Sequence, residues 1–405
     1  MNLSLSPAPP CGATPRAQPP AHVPGRLADD AAAVAAAHRL AALFAPEAAL
    51  RDRTRRLPWA ELDAFVASGL WAISVPRAFG GTGVSSATLA EVVAAVSAAD
   101  GSLGQIPQNH FFALEVLRRH GSAAQQGLLF GRVLAGERLG NALAEIGHKD
   151  FQRRTQLVPA GDGWRLDGRK FYCTGALYAH WIPTLALRTG HGQPGQVLVF
   201  VPRDAQGVTV TDDWDGFGQR VTGSGSVAFD GVHVRDEWVV PYAPSAEEPT
   251  TAGPLAQLLH AAIDLGLGQG ALAAALELLR QNTSPDRALA RQVGELDLQL
   301  RAARALVRRA GGTVDASRAA PDGASVAAAS AAVAEARALT TTAALAASGQ
   351  LFELAGPGSA QEHLGLDRFW RNVRTHTLHD PLRWRVHAVG DYHLNGKAPP
   401  RHGAI

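Results

Sequence analysis

The chain has few of the residues that crosslink secreted proteins or build metal clusters. Only two cysteines, Cys11 and Cys173, occur in 405 residues, and they lie far apart in the sequence. A pair so spaced provides neither a disulfide framework nor a cysteine-rich metal site. We therefore expect a cytoplasmic protein in a reducing compartment.

Long apolar runs and a surplus of one charge are also lacking. Glu, Arg, Thr and Gln interrupt the alanine-rich stretches, so no run approaches the roughly 20 residues that a membrane helix needs. The 38 basic and 36 acidic residues are interleaved and leave a formal charge of only +2. This balance predicts a soluble protein that binds neither nucleic acid nor an anionic membrane.

The composition is that of a folded chain. Hydrophobic residues make up 46% and charged residues 18%, which is typical of globular proteins. The length suggests two or three packed units. Residues 1–26 are the exception, because their many prolines remove backbone donors, and we expect a disordered tail there. These prolines are Pro7, Pro9, Pro10, Pro15, Pro19, Pro20 and Pro24.

The pattern over residues 27–140 predicts a helical domain. Pro58 suits the first turn of a helix that Gly69 ends, and Thr88-Leu89-Ala90-Glu91 has the spacing of a capping box. A further helix is predicted from Asn109 to His120, with Gly121 as its stop.

Residues 141–245 show a different pattern, with short β-rich runs between turn dipeptides. Asp167-Gly168 and Asp230-Gly231 each separate two such runs, as in β-hairpins. The pattern predicts a central antiparallel β-domain.

Helical spacing returns over residues 253–395 and predicts a C-terminal four-helix bundle, followed by a tail over residues 396–405. Gly266, Gly268 and Gly270 lie in this helical region without a preceding strand. Close helix packing explains them better than a dinucleotide-binding loop. The predicted class is α+β, with helices, then a sheet, then helices.

Local motifs agree with this order. Gly69-Leu70, Val75-Pro76 and Phe79-Gly80-Gly81 form one group, Arg169 to Gly175 a second, and Gly218-Gln219-Arg220 with Ser224 a third. Together they resemble the acyl-CoA dehydrogenase superfamily and extend the likeness from about residue 30 to the end of the chain.

The segment from Arg371 to Pro381, with Gly390 to Gly396 downstream, resembles the dibenzothiophene monooxygenases. It is more similar still to sulfur-acquisition oxidoreductases linked to dimethyl sulfone use. The resemblance implies an acyl-CoA dehydrogenase fold, a homotetramer or homodimer, and reduced FMN supplied by a separate NAD(P)H:flavin reductase. It further implies monooxygenation of a small organosulfur compound by molecular oxygen through a flavin hydroperoxide.

His376 and His379 are three residues apart, so a helix would place both on one face. A metal site is the weaker interpretation, because zinc needs three or four protein ligands. An imidazole that titrates near neutrality suits proton handling. On the family motif, His379 is the predicted catalytic residue, with His110 and Thr174 as further candidates.

The resemblance also predicts which residues bind the flavin. Thr174 matches a hydroxyl residue near the flavin, although a strand threonine that satisfies its own backbone is the alternative. Cys173 is expected to pack beside the cofactor rather than act as a nucleophile. The full predicted set is Asn141, Cys173, Thr174, Gly175, Gln219, Arg220, Ser224, Arg371, Arg374 and His376.

Two departures from the dehydrogenase pattern matter. Thr377-Leu378-His379-Asp380-Pro381 stands where those enzymes carry a catalytic glutamate, and the segment after Arg280 lacks the motif that helps to hold the adenine half of FAD. FMN is therefore favoured over FAD. The alternatives are an FAD-dependent acyl-CoA dehydrogenase in which Asp380 replaces the glutamate, and a flavin-binding module without catalysis.

Overall fold

A computed structural model describes residues 24–146, 153–190, 194–242, 248–281 and 287–400. The predicted order of helices, sheet and helices is confirmed. Most of the proline-rich segment and the last five residues lie outside the described residues, so the two predicted tails stay predictions.

The N-terminal region is helical, as expected. The helix predicted from Pro58 runs from Trp59 to Ala67 and is followed by Gly69 at φ +82°. The predicted capping box at Thr88 is not observed: the N-cap of this helix is Ser85, whose side chain accepts a hydrogen bond from the Thr88 amide. The helices are α1 Asp30–Phe44, α2 Ala48–Thr54, α3 Trp59–Ala67, α4 Ser86–Ala99, α5 Gly101–Gln105, α6 Gln108–His120 and α7 Ala123–Leu134.

A single seven-stranded sheet follows. Its strands are β1 Gln156–Ala160, β2 Gly163–Lys170, β3 Trp181–Arg188, β4 Gly195–Pro202, β5 Val208–Thr211, β6 Ser226–Val234 and β7 Val239–Pro241. They lie in the order β5-β6-β2-β1-β3-β4-β7. Neighbours are antiparallel except β1 and β3, which run parallel. The sheet is therefore mixed, where the sequence predicted only antiparallel pairing.

The two Asp-Gly dipeptides do not form the predicted hairpin turns. Each lies within one strand, β2 or β6, and the register of this pair shifts between Leu166 and Gly168. The Asp167 carboxylate accepts a hydrogen bond of 2.8 Å from the Gly231 amide, and Gly231 has a φ of +62°. The turn-forming residues thus accommodate a β-bulge.

The described residues of the C-terminal region form three long helices and two shorter ones rather than four long helices. They are α8 Ala252–Gln281, α9 Arg287–Ala319, α10 Gly323–Ala355, α11 Asp367–Thr377 and α12 Leu382–Asn395. Helix α8 packs against α10, α4 and α11. A Cβ at Gly266 would lie 2.2 Å from Ala94 O of α4, and one at Gly268 would lie 3.0 Å from Ala344 Cα of α10. The packing role predicted for these glycines is confirmed.

Two helical stretches, Asp30–Thr54 and Ala252–Gln281, are long and apolar enough to cross a membrane by length and composition alone. The sequence expectation that no stretch approaches this length is therefore too strong. Core helices of soluble proteins pass the same test, and the second stretch is α8, which is largely buried among its neighbours.

Candidate active site

A cavity of about 700 Å³ lies where the N-terminal helices, the sheet and the C-terminal helices meet. Helices α5 and α6 contribute Gln105, Gln108, Asn109 and Phe112; the sheet domain and its loops contribute Asn141, Leu143, Ala144, Tyr172, Thr174, Trp214, Gly216, Phe217, Gln219, Thr222, Ser224 and Tyr242; the C-terminal helices and the loop after α11 contribute Gly253, Ala256, Gln257, His260, Thr375, Leu378, His379 and Asp380. Aromatic and amide side chains therefore dominate the wall.

Three histidines form a cluster at one end of this cavity, and we call His260, His376 and His379 the histidine cluster. Their ring centroids are 5.1 to 5.3 Å apart. His376 lies on α11 and is fully buried, whereas His379 follows the end of that helix. The two predicted histidines do lie close together. His379, however, lies just beyond the end of α11 and not on the same helical face as His376.

Hydrogen bonds connect the histidine cluster to a buried carboxylate. His260 Nδ1 lies 2.9 Å from His376 Nε2, and His376 Nδ1 lies 2.5 Å from Asp264 Oδ1. Arg337 Nη1 and Thr341 Oγ1 donate to Asp264 Oδ2 at 2.8 and 2.7 Å. His379 Nδ1 is 2.8 Å from the His376 carbonyl oxygen. The cluster is therefore anchored from α8, α10 and α11 together.

The surrounding protein keeps these imidazoles neutral. Burial, together with the electrostatic effect of His376, lowers the pKa of His379 to about 4. Burial also lowers the pKa of His376 and, strongly, that of His260. His379 is an exposed residue, and it lines the cavity beside the buried His376. The lowered pKa values favour neutral imidazoles that can accept hydrogen bonds at pH 7.

His110, a predicted catalytic residue, is placed in the core instead. It is fully buried and lies apart from the cavity lining. Its Nε2 is 2.8 Å from the Trp71 carbonyl, its Nδ1 accepts from the Leu139 amide at 3.2 Å, and its ring packs on the Trp71 indole. Burial lowers the pKa of His110 to about 3. Both ring nitrogens are occupied by backbone groups, so this position supports a structural role.

The segment predicted as a flavin-contacting strand is a turn. Strand β2 ends at Lys170, Tyr172 has a φ of +54°, and Gly175 has one of +76°. Thr174 faces the cavity, but Cys173 and Gly175 do not line it. Cys173 is fully buried, and burial raises the pKa of its thiol to about 12. Packing is its role in the fold.

Thr174 begins a directional chain of hydroxyl groups. Its Oγ1 is 2.8 Å from Ser224 Oγ, which is 2.7 Å from Thr222 Oγ1, and Thr222 donates to the Gln219 carbonyl at 3.0 Å. Because each hydroxyl has one proton, Ser224 donates to Thr222 and Thr174 donates to Ser224. Thr174 therefore presents only acceptor lone pairs to the cavity.

Other polar atoms at the cavity wall are buried and have no hydrogen-bond partner among the residues that the structure describes. These atoms are Asn141 Oδ1, Gln105 Oε1, Gln108 Oε1 and Thr375 Oγ1. The Asn141 amide nitrogen donates to the Tyr172 carbonyl at 3.3 Å, which fixes the orientation of its oxygen toward a ligand. Since buried polar groups are seldom left unpaired, this wall is suited to a polar ligand.

Gln219 joins the sheet loop to α11. Its backbone nitrogen donates to Asn372 Oδ1 at 2.6 Å, and its side chain donates to the Gly101 carbonyl at 3.3 Å. Preceding Gly218 is needed for the close approach, because a Cβ there would lie 2.1 Å from the Arg371 carbonyl oxygen. The predicted residues Gln219 and Ser224 thus reach the same cavity as Thr174 and His379.

The predicted arginines lie outside this cavity. Arg220 and Arg371 line an adjoining cavity of about 440 Å³, which shares Gly216 and Phe217 with the larger one. Arg371 is engaged there by Asp52 at 2.5 Å, Asp367 at 2.8 Å and the Phe217 carbonyl at 2.8 Å. Arg374 lines neither cavity.

Comparison with known proteins places this architecture in a family. Acyl-CoA dehydrogenase models for the N-terminal, middle and C-terminal domains match residues 29–137, 147–232 and 258–384. Dibenzothiophene monooxygenase of Rhodococcus erythropolis is 34% identical over 93% of this chain and 97% of its own. The chain belongs to the acyl-CoA dehydrogenase superfamily, in its dibenzothiophene monooxygenase branch.

Two further members of this branch are similar over nearly their whole length. A protein of Pseudomonas putida named a probable FMNH2-dependent monooxygenase is 31% identical, with 91% of this chain and 96% of the relative covered. The FMN-bound dibenzothiophene monooxygenase of Paenibacillus sp. A11-2 superposes with a TM-score of 0.87 at 29% identity, covering 92% and 100% of the two chains. The predicted family is confirmed, but identities of 34% and 31% do not separate the two groups of relatives.

Within this superfamily the carboxylate at the histidine motif is of interest, because Asp380 was the alternative base. Arg385 donates to its Oδ2 at 2.9 Å and Gln257 donates to the same oxygen at 3.2 Å. An ion pair already compensates the charge of Asp380. The geometry does not favour a dehydrogenase in which Asp380 removes a substrate proton.

Sequence reasoning missed the members of the site on α8 and α10. His260 and Asp264 are four residues apart on α8 and so share one helical face in an otherwise apolar stretch. This spacing is the sequence signal that could have identified His260 and Asp264. Arg337 is distant in sequence, and no local pattern points to it. Within the described ranges, no set of three or more His, Cys, Asp and Glu side chains is arranged to hold a metal ion.

Proposed function

We propose that this member of the branch is a reduced-FMN-dependent monooxygenase that oxidises a small organosulfur compound. The observation that carries the proposal is one cavity that combines unpaired buried amide groups, aromatic walls and a neutral histidine cluster. Reduced FMN supplies the electrons that activate molecular oxygen, and the protein supplies binding, orientation and proton handling.

The residues around the cavity fit a flavin. An isoalloxazine ring offers both donors and acceptors along its edge, and the Asn141 carboxamide oxygen and the Thr174 hydroxyl are acceptors held toward the cavity. Gln105 and Gln108 add unpaired amide oxygens, and Trp214 supplies an aromatic wall. We assign Asn141, Thr174, Ser224 and Gln219 to flavin binding, with Thr174 oriented through Ser224.

The adjoining cavity suits a phosphate group. Arg53, Arg55 and Arg220 line it next to Gly216, which it shares with the flavin cavity. Asp52, Asp215, Glu362 and Asp367 line the same pocket, so its four arginines are balanced by four carboxylates. Two of these carboxylates pair with Arg371, and the other guanidinium groups can meet the single phosphate at the end of FMN. Arg220 is the proposed phosphate ligand, and Arg371 shapes the pocket through its pairs with Asp52 and Asp367.

The substrate end of the cavity favours an uncharged compound. In the described part of the chain, the lining includes no Lys or Arg, and its one carboxylate, Asp380, is paired with Arg385. The lowered pKa values of His260 and His379 favour uncharged imidazoles at pH 7. A sulfide, sulfoxide or sulfone fits this environment better than a sulfinate or sulfonate anion, which would need a counter-charge.

His379 is the proposed catalytic residue at the substrate end, where its imidazole accepts a proton or hydrogen bond from the reacting groups. The remaining partners follow from the family: a separate NAD(P)H:flavin reductase delivers reduced FMN, and the chain forms a homotetramer or homodimer. A cytoplasmic location agrees with Cys173, an unpaired buried thiol.

An anaerobic titration with reduced FMN, followed by oxygen, tests the proposal. We expect saturable binding and then substrate oxidation coupled to oxygen consumption, with dimethyl sulfone or dibenzothiophene turned over in preference to an alkanesulfinate. His379→Ala should lower turnover by about 10²-fold or more while reduced FMN still binds. His363→Ala, at an exposed site, is the matched control. Tight FAD that an acyl-CoA reduces would instead establish a dehydrogenase.

A further inference from the structure

A row of hydrogen bonds leads from the buried core between α8 and α10 to the cavity. Asp264 and His376 are fully buried, and His260, the third member, is partly exposed and lines the cavity. The row is Asp264 Oδ1, His376 Nδ1 at 2.5 Å, then His376 Nε2 and His260 Nδ1 at 2.9 Å. It connects a fixed charge to a cavity-facing imidazole.

The fixed end of the row is an ionised carboxylate. Arg337, which can only donate, lies 2.8 Å from Asp264 Oδ2, and the Thr341 hydroxyl donates to the same oxygen at 2.7 Å. Burial alone would raise the pKa of Asp264, but Arg337 and His376 outweigh it and the pKa is lowered. Asp264 therefore has only acceptor atoms to offer to His376.

The direction of the remaining bonds follows from proton counting. His376 must carry its proton on Nδ1 to donate to Asp264, and a neutral imidazole has no second proton. His376 Nε2 is thus an acceptor, so His260 donates from Nδ1 and its Nε2 carries a lone pair. Among the described residues, none hydrogen-bonds to His260 Nε2, which lies across the ring from the His376 contact.

His379 has the same tautomer as His260, for a related reason. Its Nδ1 lies 2.8 Å from the backbone carbonyl of His376, which can only accept, so the proton of His379 also lies on Nδ1. One residue, His376, therefore fixes two neighbours: its side chain accepts from His260 and its carbonyl accepts from His379. The rings of His260 and His379 are 5.3 Å apart at the same cavity end.

We propose that His260 is a second hydrogen-bond-accepting residue of the active site, and that Asp264 and His376 position it by fixing its tautomer. His260 and His379 then present two unprotonated Nε2 atoms to a hydroxyl-bearing group that forms or reacts between flavin and substrate. The inference rests on the proposed monooxygenase function, in which a proton must be held near the reacting oxygen. Asp264 and His376 are positioning residues, because neither lines the cavity.

The Asp264→Asn variant should reverse the donor and acceptor roles along the whole row of hydrogen bonds. Arg337 and Thr341 both donate, so the new amide turns its oxygen to them and its NH2 to His376. His376 then has to accept at Nδ1 and carry its proton on Nε2, which forces His260 to accept at Nδ1 and carry its proton on Nε2. The cavity-facing atom of His260 changes from an acceptor into a donor, as a wrong tautomer does in serine proteases.

Nitrogen-15 NMR of histidine-labelled protein without flavin measures these tautomers directly, with His260→Gln and His376→Gln for assignment. We expect the Nδ1–H form of His260 in the parent and the Nε2–H form in Asp264→Asn. Thr340→Val controls for disturbance of the α8–α10 interface, because the Thr340 hydroxyl donates only to the Arg337 carbonyl within its own helix. It should keep the parent tautomer.

Turnover with reduced FMN, oxygen and an organosulfur compound is the second measurement. Asp264→Asn and His260→Gln should each lower kcat by about 10²-fold or more, with KM changed by less than about threefold. An Nε2–H or doubly protonated His260 in the parent at pH 7 would overturn the inference even if Asp264→Asn fails to fold. Unchanged kcat in His260→Gln would overturn it as well.

The two proposals fail in different ways. A parent protein that neither binds reduced FMN nor oxygenates any organosulfur compound contradicts the proposed function. If the parent does both, but its His260 tautomer or its turnover does not change in Asp264→Asn, the proposed function stands. This row of hydrogen bonds then has no part in it.

Discussion

Acid should destabilise the protein from just below neutrality, and His110 allows the effect to be isolated. This imidazole is fully buried between the Trp71 carbonyl and the Leu139 amide, and burial lowers its pKa from 6.5 to about 3. Below pH 6.5 the unfolded chain binds a proton at this site while the folded chain does not. The stability present above pH 6.5 is therefore lost progressively as pH falls from 6.5 toward 3.

The size of the effect follows from linkage. One pKa unit corresponds to about 1.4 kcal/mol, and with these two pKa values the loss between pH 7 and pH 5 is about 2 kcal/mol for His110 alone. Carboxylates with lowered pKa values, such as Glu115 and Glu145 at about 2, add their losses only at lower pH. The interval from pH 7 to pH 5 thus reports mainly on buried histidines.

The assay is urea unfolding at pH 7, 6 and 5 for the parent and for His110→Gln. The variant should be less stable at pH 7 by about 1–3 kcal/mol, because one amide cannot serve both backbone partners as well as the imidazole does. Its further loss between pH 7 and pH 5 should be smaller than the parent's by about 2 kcal/mol. His363→Gln, at an exposed histidine, should follow the parent. Equal pH dependence in the parent and His110→Gln would refute the assignment of a neutral buried imidazole.

Three other outcomes are expected. Thr174→Val, which removes the acceptor that the hydroxyl chain holds toward the cavity, should weaken reduced-FMN binding by about 5- to 20-fold in an anaerobic fluorescence titration. Turnover should rise with pH through an apparent pKa near 4, the value for His379, and stay level from pH 6 to 8. The reason is that the neutral imidazole is the active form. A rise in turnover with a midpoint near pH 6.5 would contradict this. Gly270→Ala should destabilise by about 1–3 kcal/mol in urea, since its Cβ would meet the Ala98 carbonyl oxygen at 2.3 Å, whereas Gly349→Ala, with open space, should not.

The order of domains was predictable because helical and strand periodicities differ over long windows. Helix α6 begins and ends within a residue of its prediction, since Gly121 follows it directly. The Asp-Gly dipeptides misled because their turn propensity is local, whereas the β2–β6 pairing that absorbs them as a bulge depends on residues about 60 positions apart. The same limit hid the parallel pairing of β1 with β3, which only the assembled sheet determines.

Residues of the candidate site could be predicted only where a short sequence motif contains them. Thr174, Ser224, His376 and His379 were all predicted through family motifs, and the spacing of the two histidines indicated only that they lie close together. His110 lies in the core and not at the cavity, and a histidine between polar and aromatic neighbours has the same local pattern in both places. Burial, which decides between the two, depends on Trp71 and on Leu139, and neither contact leaves a local signal.

The charges around the histidine cluster explain why its imidazoles stay neutral. Asp264 is paired with Arg337 at 2.8 Å, and Asp380 is paired with Arg385 at 2.9 Å. Each carboxylate that could stabilise an imidazolium is thus already compensated by a guanidinium, while burial penalises any added charge. Asp264 lies on α8, Arg337 on α10 and Arg385 on α12, and Asp380 lies in the loop before α12. Neutral hydrogen-bond acceptors at this end of the cavity are therefore a property of the assembled C-terminal helices, and the motif around His379 supplies only one part of them.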